Sequence, residues 1–272
     1  MARRRPPRQP SGASARWPFW LAGLLGLFWV IVAEAPASWL GAAVAAASQQ
    51  RVLLAQTQGT WRDGSARVVL AGGPQSRGAT LAPGVLHWRI GLTDLWHGRI
   101  RLGLRWPGLA ETPLQLAVQA HIGGWTLWQV QPPDWQALVP AALLEGLGTP
   151  WNTLALRGGI ALAFHNASLE SAAGRLRLMG AVQVKASDMS SRLSTVAPLG
   201  SYLLRVHGDG AKADMQLSTL SGPLILAGKG VWNGQQLQFA GTAQAAAGQE
   251  EALANLLSLL GQREGDKVRI GL

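Results

Sequence analysis

The 272-residue chain contains no cysteine. Disulfides, thiolate metal ligands and thiol nucleophiles are thereby excluded, and the absence is compatible with many compartments, the periplasm among them. Charge is sparse: 14% of residues are charged against 48% hydrophobic, a balance too apolar for a disordered chain. Acids number 14 against 24 Lys and Arg, for a net charge of +10. No acid occurs in the first sixteen positions, which hold Arg3, Arg4, Arg5, Arg8 and Arg16, so the rest of the chain carries only +5. The basic bias is therefore largely a topology signal, and no nucleic-acid partner is expected.

Catalytic signatures are missing as well. None of His87, His97, His121, His165 and His207 stands four residues from another, and no His-Glu-x-x-His motif occurs. There is no Gly-x-Ser-x-Gly elbow. The carboxylates are dispersed, and spacing alone does not show whether two of them meet in space. Asn166-Ala167-Ser168 has the form of a glycosylation sequon and is read as chance. The stretch STLSGPLILAGKG, Ser218–Gly230, suggests a phosphate loop but fails on spacing. Five residues separate Gly222 from Gly228, where the loop needs four before its Gly-Lys, and Gly230 stands where a magnesium-binding hydroxyl belongs. The same stretch reads better as a short buried strand, Leu224-Ile225-Leu226, with Gly222-Pro223 before it and glycines leaving it. No catalytic, cofactor-binding or metal-binding residue is therefore assigned, and the chain is not expected to be an enzyme.

What is present begins at the amino terminus. Met1–Pro10 is Arg- and Pro-rich, a composition that predicts disorder. WPFWLAGLLGLFWVIVA, Trp17 to Ala33, carries no charge. As a helix it would reach about 26 Å, close to the thickness of a bilayer's hydrocarbon core. Trp17, Trp20 and Trp29 lie near its ends, as interfacial rings do. The arginines ahead of it place the amino terminus in the cytoplasm by the positive-inside rule. A cleaved signal peptide is the alternative, because Ala33-Glu34-Ala35 and Ala35-Pro36-Ala37 resemble cleavage sites. The expected organisation is a cytoplasmic tail at 1–16, a transmembrane signal anchor at 17–35 and a periplasmic β-rich domain at 36–272. A division of that domain into two halves near 146–150 is one option.

Beyond the anchor the pattern is strand after strand. Ile100, Leu102 and Leu104 alternate with Arg99, Arg101 and Arg105; Leu176 and Leu178 with Arg175 and Arg177; Leu237 and Phe239 with Gln236 and Gln238. This period of two predicts an antiparallel sheet with one wet face. Arginine-lined faces of this kind attract acidic partners or lipid headgroups, or are simply solvated. Of the thirteen tryptophans, eight lie between Trp61 and Trp151; core packing explains most such rings, and interfaces use others. Gly208-Asp209-Gly210 and Asn233-Gly234 mark hairpins. Two segments read as helices: Asp134–Gly146, kinked or interrupted at Pro140, and Glu250–Leu260. The second has acids in its first turn, Leu253, Leu256, Leu257 and Leu260 on one stripe, and Gly261 at its stop. Val268–Leu272 adds a last strand. The fold class is thus mainly β: one transmembrane helix, then a predominantly antiparallel sheet domain with one or two short covering helices.

Several segments, taken in order, carry a resemblance. After the basic start and membrane segment comes Gly59-Thr60-Trp61-Arg62-Asp63-Gly64, with one residue fewer between Thr and Trp than the pattern it is similar to. Then come Leu81-Ala82-Pro83-Gly84 ahead of a strand containing Trp88, Ala197-Pro198-Leu199-Gly200-Ser201-Tyr202, Ser218–Gly230, Ala252–Gly261 and Val268-Arg269-Ile270. Together they resemble the type II secretion system protein N family, also called general secretion pathway protein N. The resemblance implies a single-pass inner-membrane protein with its bulk in the periplasm, an accessory part of the apparatus that exports folded proteins across the outer membrane. Its partners would be other inner-membrane and periplasmic secretion subunits, with lipid contact as a further option. No active site or cofactor comes with that family. An AsmA-like lipid-handling protein, its groove holding acyl chains, is the alternative reading; a continuous apolar interior open at one end would favour it.

Overall fold

The computed structural model describes residues 34–73, 78–149, 151–265 and 267–271, together with Trp20, Gly23 and Gly26. The chain divides into two compact units, Met1–Ala35 and Pro36–Leu272. In the first, Trp20, Gly23 and Gly26 have helical backbone. Among the described residues no helix is long and apolar enough to cross a membrane. The predicted span Trp17–Ala33 lies outside them, those three positions excepted.

In the second unit, helix α1 (Ala37–Ala47) leads into strands β1 (Val52–Gly59), β2 (Asp63–Ala71), β3 (Ala79–Leu81), β4 (Leu86–Gly91), β5 (Arg99–Arg105), β6 (Leu114–His121), β7 (Gly124–Gln131) and β8 (Asp134–Pro140). A 3-10 segment, Ala141–Leu147, and a one-turn helix α2 (Trp151–Leu154) precede two long strands, β9 (Arg157–Ala172) and β10 (Arg175–Ser190). Then follow β11 (Gly200–Asp209), β12 (Ala213–Ser221), β13 (Leu224–Trp232), β14 (Leu237–Ala245), helix α3 (Glu250–Leu260), β15 (Gln262–Glu264) and β16 (Lys267–Gly271). The described strands form one sheet in the order β1-β2-β4-β5-β6-β7-β9-β10-β11-β12-β13-β14-β16-β15, with β3 on β2 and β8 on β9. The sheet is continuous past 146–150, because β7 pairs with the far half of β9.

The alternating segments become strands as their periodicity requires. In β5, Ile100, Leu102 and Leu104 are half-buried while Arg99, Arg101 and Arg105 are exposed. The two hairpin signals act through side chains: the Asp209 carboxylate accepts from the N–H groups of Ala211 and Lys212, each at 2.8 Å. Asn233 Oδ1 accepts from Gln235 and Gln236 at 3.1 and 2.9 Å. Two backbone amides on one carboxylate hold the Asp209 pKa below its ordinary value.

Three expectations are corrected. The first half of the expected helix Asp134–Gly146 is strand β8, and only the part after Pro140 winds, as 3-10 turns. Ala137 is buried and Trp135 and Val139 half-buried, a period of two that sets this half against β9. Trp135 stacks on Phe164 with ring centroids 5.5 Å apart, and its indole N–H donates to the Thr112 carbonyl at 2.9 Å. The glycines expected to leave the Leu224-Ile225-Leu226 strand lie within it instead, since β13 runs on to Trp232. The Phe239 ring covers Gly228, Gly230 and Gly241, leaving no room for a side chain at any of them; an aromatic over glycine restores the packing that a glycine strand lacks. Leu237, expected on the apolar face, is exposed because it opens β14 next to the Asn233 turn.

One bulge shapes the middle of the sheet. Leu178 pairs with Leu169 and Val182 with Phe164, so β9 spends one residue more than β10 between these pairs, around Asn166. Strict alternation would put Leu169 and Phe164, five apart, on opposite faces; the extra residue returns both to one face. That apolar face is covered elsewhere. α1 packs there with Ala66 and Trp88, the 3-10 segment packs Leu143 with Val68 and Ala82, and α3 covers the carboxyl-terminal strands.

Candidate functional site

The segments that carry the resemblance are scattered in sequence, and the fold gathers the carboxyl-terminal ones into one core. Leu199 and Tyr202 at the start of β11, Leu224 at the start of β13 and Leu253 and Leu256 of α3 share a cluster with Ala141 and Met189. Hydrogen bonds fix the meeting point. Leu224 N–H donates to the Leu199 carbonyl at 2.9 Å, and the Tyr202 hydroxyl donates to the Leu224 carbonyl at 3.1 Å. Gly222, at φ +113, passes so close to Gly200 that a Cβ there would strike its Cα. The Thr219 hydroxyl takes over where the β12–β13 ladder ends, donating to the Leu226 carbonyl at 2.9 Å and accepting the Leu226 N–H at 2.6 Å. Ser218–Gly230 is thus a hairpin with a tight crossing at its tip, and Lys229 is exposed on its wet face. A phosphate cradle needs a run of free N–H groups; here the sheet uses them.

At the other end the Gly59–Gly64 turn builds a second anchor. The Trp88 side chain is 3% exposed and lies over Gly64, with its indole N–H donating to the Trp61 carbonyl at 3.0 Å. The turn is closed by Thr60, whose N–H donates to the Asp63 carbonyl at 2.9 Å and whose hydroxyl accepts the Asp63 N–H at 3.2 Å. Likewise Trp106 donates to the Pro83 carbonyl at 3.0 Å, tying down Leu81–Gly84.

Burial pushes the Tyr202 phenol well above its ordinary range near 10. The folded state thus favours the neutral phenol. Its contribution to stability is fully present below about pH 10 and is lost as pH rises from there through the folded value. Tyr202 is the one tyrosine of the chain, so its ionisation can be followed alone. Tyrosinate absorbance should develop only together with unfolding, and Tyr202→Phe should flatten the loss of stability above pH 10. Reversible titration near pH 10 in a folded protein would contradict this burial.

Reactive groups do not gather. Among the described residues no three His, Asp or Glu side chains lie close enough to hold a metal. His165 pairs with Asp134 at 2.6 Å, on the strand beside it. Two hollows remain. The first, about 640 Å³, lies on the wet face of β4 and β5, floored by Gly91 and Gly103 and rimmed by His87, Arg89, Arg101 and Arg105. Arg89 pairs with Asp63 at 2.8 Å and Arg101 with Asp94 at 2.6 Å. Such exposed pairs contribute little to stability; the guanidinium rim suits an anion. The second hollow, about 250 Å³, is an apolar cleft where β6, β7, β9 and β10 meet, lined by Leu116, Leu127, Phe164, Leu169, Leu178 and Val182 among others. Gln129 Oε1 is buried in its wall with no hydrogen-bond donor. Sequence reading misses this cleft, because the β9 bulge that creates it is visible only once the register is known.

The comparison with known families agrees with this scaffold of turns, buried strands and a covering helix. The family model for type II secretion system protein N matches residues 50–270. No curated protein and no solved structure matches the chain. The match takes in both tryptophan-anchored turns, the gathered carboxyl-terminal core and the last strand, and the chain belongs to the type II secretion system protein N family, a component of the machinery of protein secretion.

Proposed function

We propose that the chain is an accessory inner-membrane subunit of the type II secretion apparatus, supporting export of folded proteins from the periplasm across the outer membrane. Residues 1–16 stay in the cytoplasm, 17–35 span the membrane once, and 36–272 form a non-catalytic periplasmic domain that contacts other inner-membrane and periplasmic subunits. What carries this reading is the fate of the family's segments: those at 197–202, 218–230 and 252–261 converge on one buried core and surround no reactive cleft. Their role is to hold a rigid sheet, and the exposed faces remain for partners. The arginines before Trp17 and the uncharged run after it support the topology. A periplasm-dependent reporter fused after Leu272 should be active; activity of a cytoplasm-dependent reporter there would refute the topology.

A second reading, handling of lipid, is favoured by the apolar cleft. A lone buried amide oxygen in an apolar wall is costly, and an acyl chain whose head carries a hydroxyl or amide would relieve it. Mass spectrometry of the full chain taken gently from membranes should then show a retained lipid, lost when Leu127→Glu charges the cleft. The same bare protein in both samples would remove the lipid reading and leave the secretion role untouched.

A further inference from the structure

We infer that the end of the sheet carrying the Gly59–Gly64 turn is a membrane-facing edge, and that Trp96 and Ile122 at its tips seat in the headgroup layer of the bilayer. The inference rests on the anchored reading of residues 17–35.

Strand order fixes which turns share this end. β1 and β2 are joined at 60–62, β4 and β5 at 92–98, and β6 and β7 at 122–123, while the turns at 173–174, 210–212 and 233–236, which hold no large apolar residue, follow farther along the same end. Asp63 pairs with Arg89, Arg99 with Gln119 and His121 with Gly124, so the first three turns project in one direction along the strands. The chain also enters the domain here, because Pro36 bridges to Thr60. A span that ends at Ala33 leaves three residues to reach Pro36, about 11 Å at full extension. On the anchored reading the covalent chain holds Pro36, and the Thr60 it bridges, within about 11 Å of the end of the span.

The side chains at this end suit that place. Trp96 and Ile122 are 96% and 106% exposed, the highest values for large apolar residues in the described chain. Leu95 and Trp125 are exposed beside them, as is Trp39 in the first turn of α1. Trp96 and Ile122 stand clear of the domain's own packing, and tryptophan at an interface is where its apolar body and N–H are both satisfied. The acids within these turns, Asp63 and Asp94, are neutralised by Arg89 and Arg101. Arg62 and Arg99 are exposed among the tips, a cationic fringe matched to anionic lipid.

The cysteine-free sequence permits single nitroxide labels on the full chain in vesicles of phosphatidylethanolamine and phosphatidylglycerol at three to one. Trp96→Cys and Ile122→Cys test the tips, and Ala247→Cys, on an exposed turn at the opposite end, is the reference. Labels at 96 and 122 should be more accessible to oxygen than to a water-soluble nickel complex, with the reverse at 247. Alkaline extraction of the same vesicles tests the anchor separately. If the chain resists extraction while all three labels behave as aqueous, the anchor stands and the edge is overturned. Tip labels inaccessible to both reagents would also overturn it, since a protein surface would then cover them. Extraction of the chain with aqueous tip labels would remove both readings.

Discussion

Leu253→Ala should lower the unfolding free energy of the unit Pro36–Leu272 by about 2–5 kcal/mol, a large part of what holds an ordinary domain together. Leu253 is fully buried and Leu256 is 3% exposed, where α3 closes over Leu199, Tyr202 and Leu224. Truncation removes their contacts and leaves a cavity that the hydrogen-bonded crossing at Gly200 and Gly222 cannot collapse to fill. Leu256→Ala should behave alike. Leu257 is only half-buried, so its truncation should cost less, although it lies on the same stripe. Ser258 is exposed and its hydroxyl donates to the Asn255 carbonyl at 2.8 Å; Ser258→Ala should stay within about 0.5 kcal/mol of the parent. Denaturant titration of the full chain in detergent measures all four. Full stability in Leu253→Ala would mean that α3 is not a core element, and its leucine face would then be free to dock another subunit.

The second large effect belongs to Trp88. Replacing a buried Trp by Ala typically costs about 3–5 kcal/mol, and this ring joins α1 to the amino-terminal strands through Ala37, Leu40, Ala66 and Leu104. Trp88→Phe separates the two parts of its role. The smaller ring keeps apolar contact with this cluster but takes away the indole donor of the Trp61 carbonyl, a loss of about 1 kcal/mol. Trp88→Ala should therefore be several times more damaging than Trp88→Phe, and both should act by the midpoint of unfolding. Equal effects would place the importance of the site in its hydrogen bond instead of its packing.

Strands that pair arginine with leucine were legible because one wet face forces a period of two. α3 was legible because its acids, leucine stripe and closing Gly261 agree on one element. Asp134–Pro140 was not: Trp135, Ala137 and Val139 fit a strand, yet Ala141–Leu147 continues an apolar run that reads as helix until β9 claims its first half. Gly228 and Gly230 look like a break because the ring that covers them, Phe239, comes from the next strand. The candidate surfaces were hidden for a related reason. Trp96 and Ile122 are single residues in separate turns, and only strand order puts them at one end. The cleft depends on one extra residue in β9, which no local pattern announces.

The most direct measurement of the central claim is export itself. In cells lacking this chain but retaining the other secretion subunits, folded exoproteins should accumulate in the periplasm. The full-length chain should restore their release, and Leu253→Ala should restore it only in proportion to the folded protein that survives. Undiminished export without the chain, with the remaining subunits at their normal levels, would contradict a role in secretion.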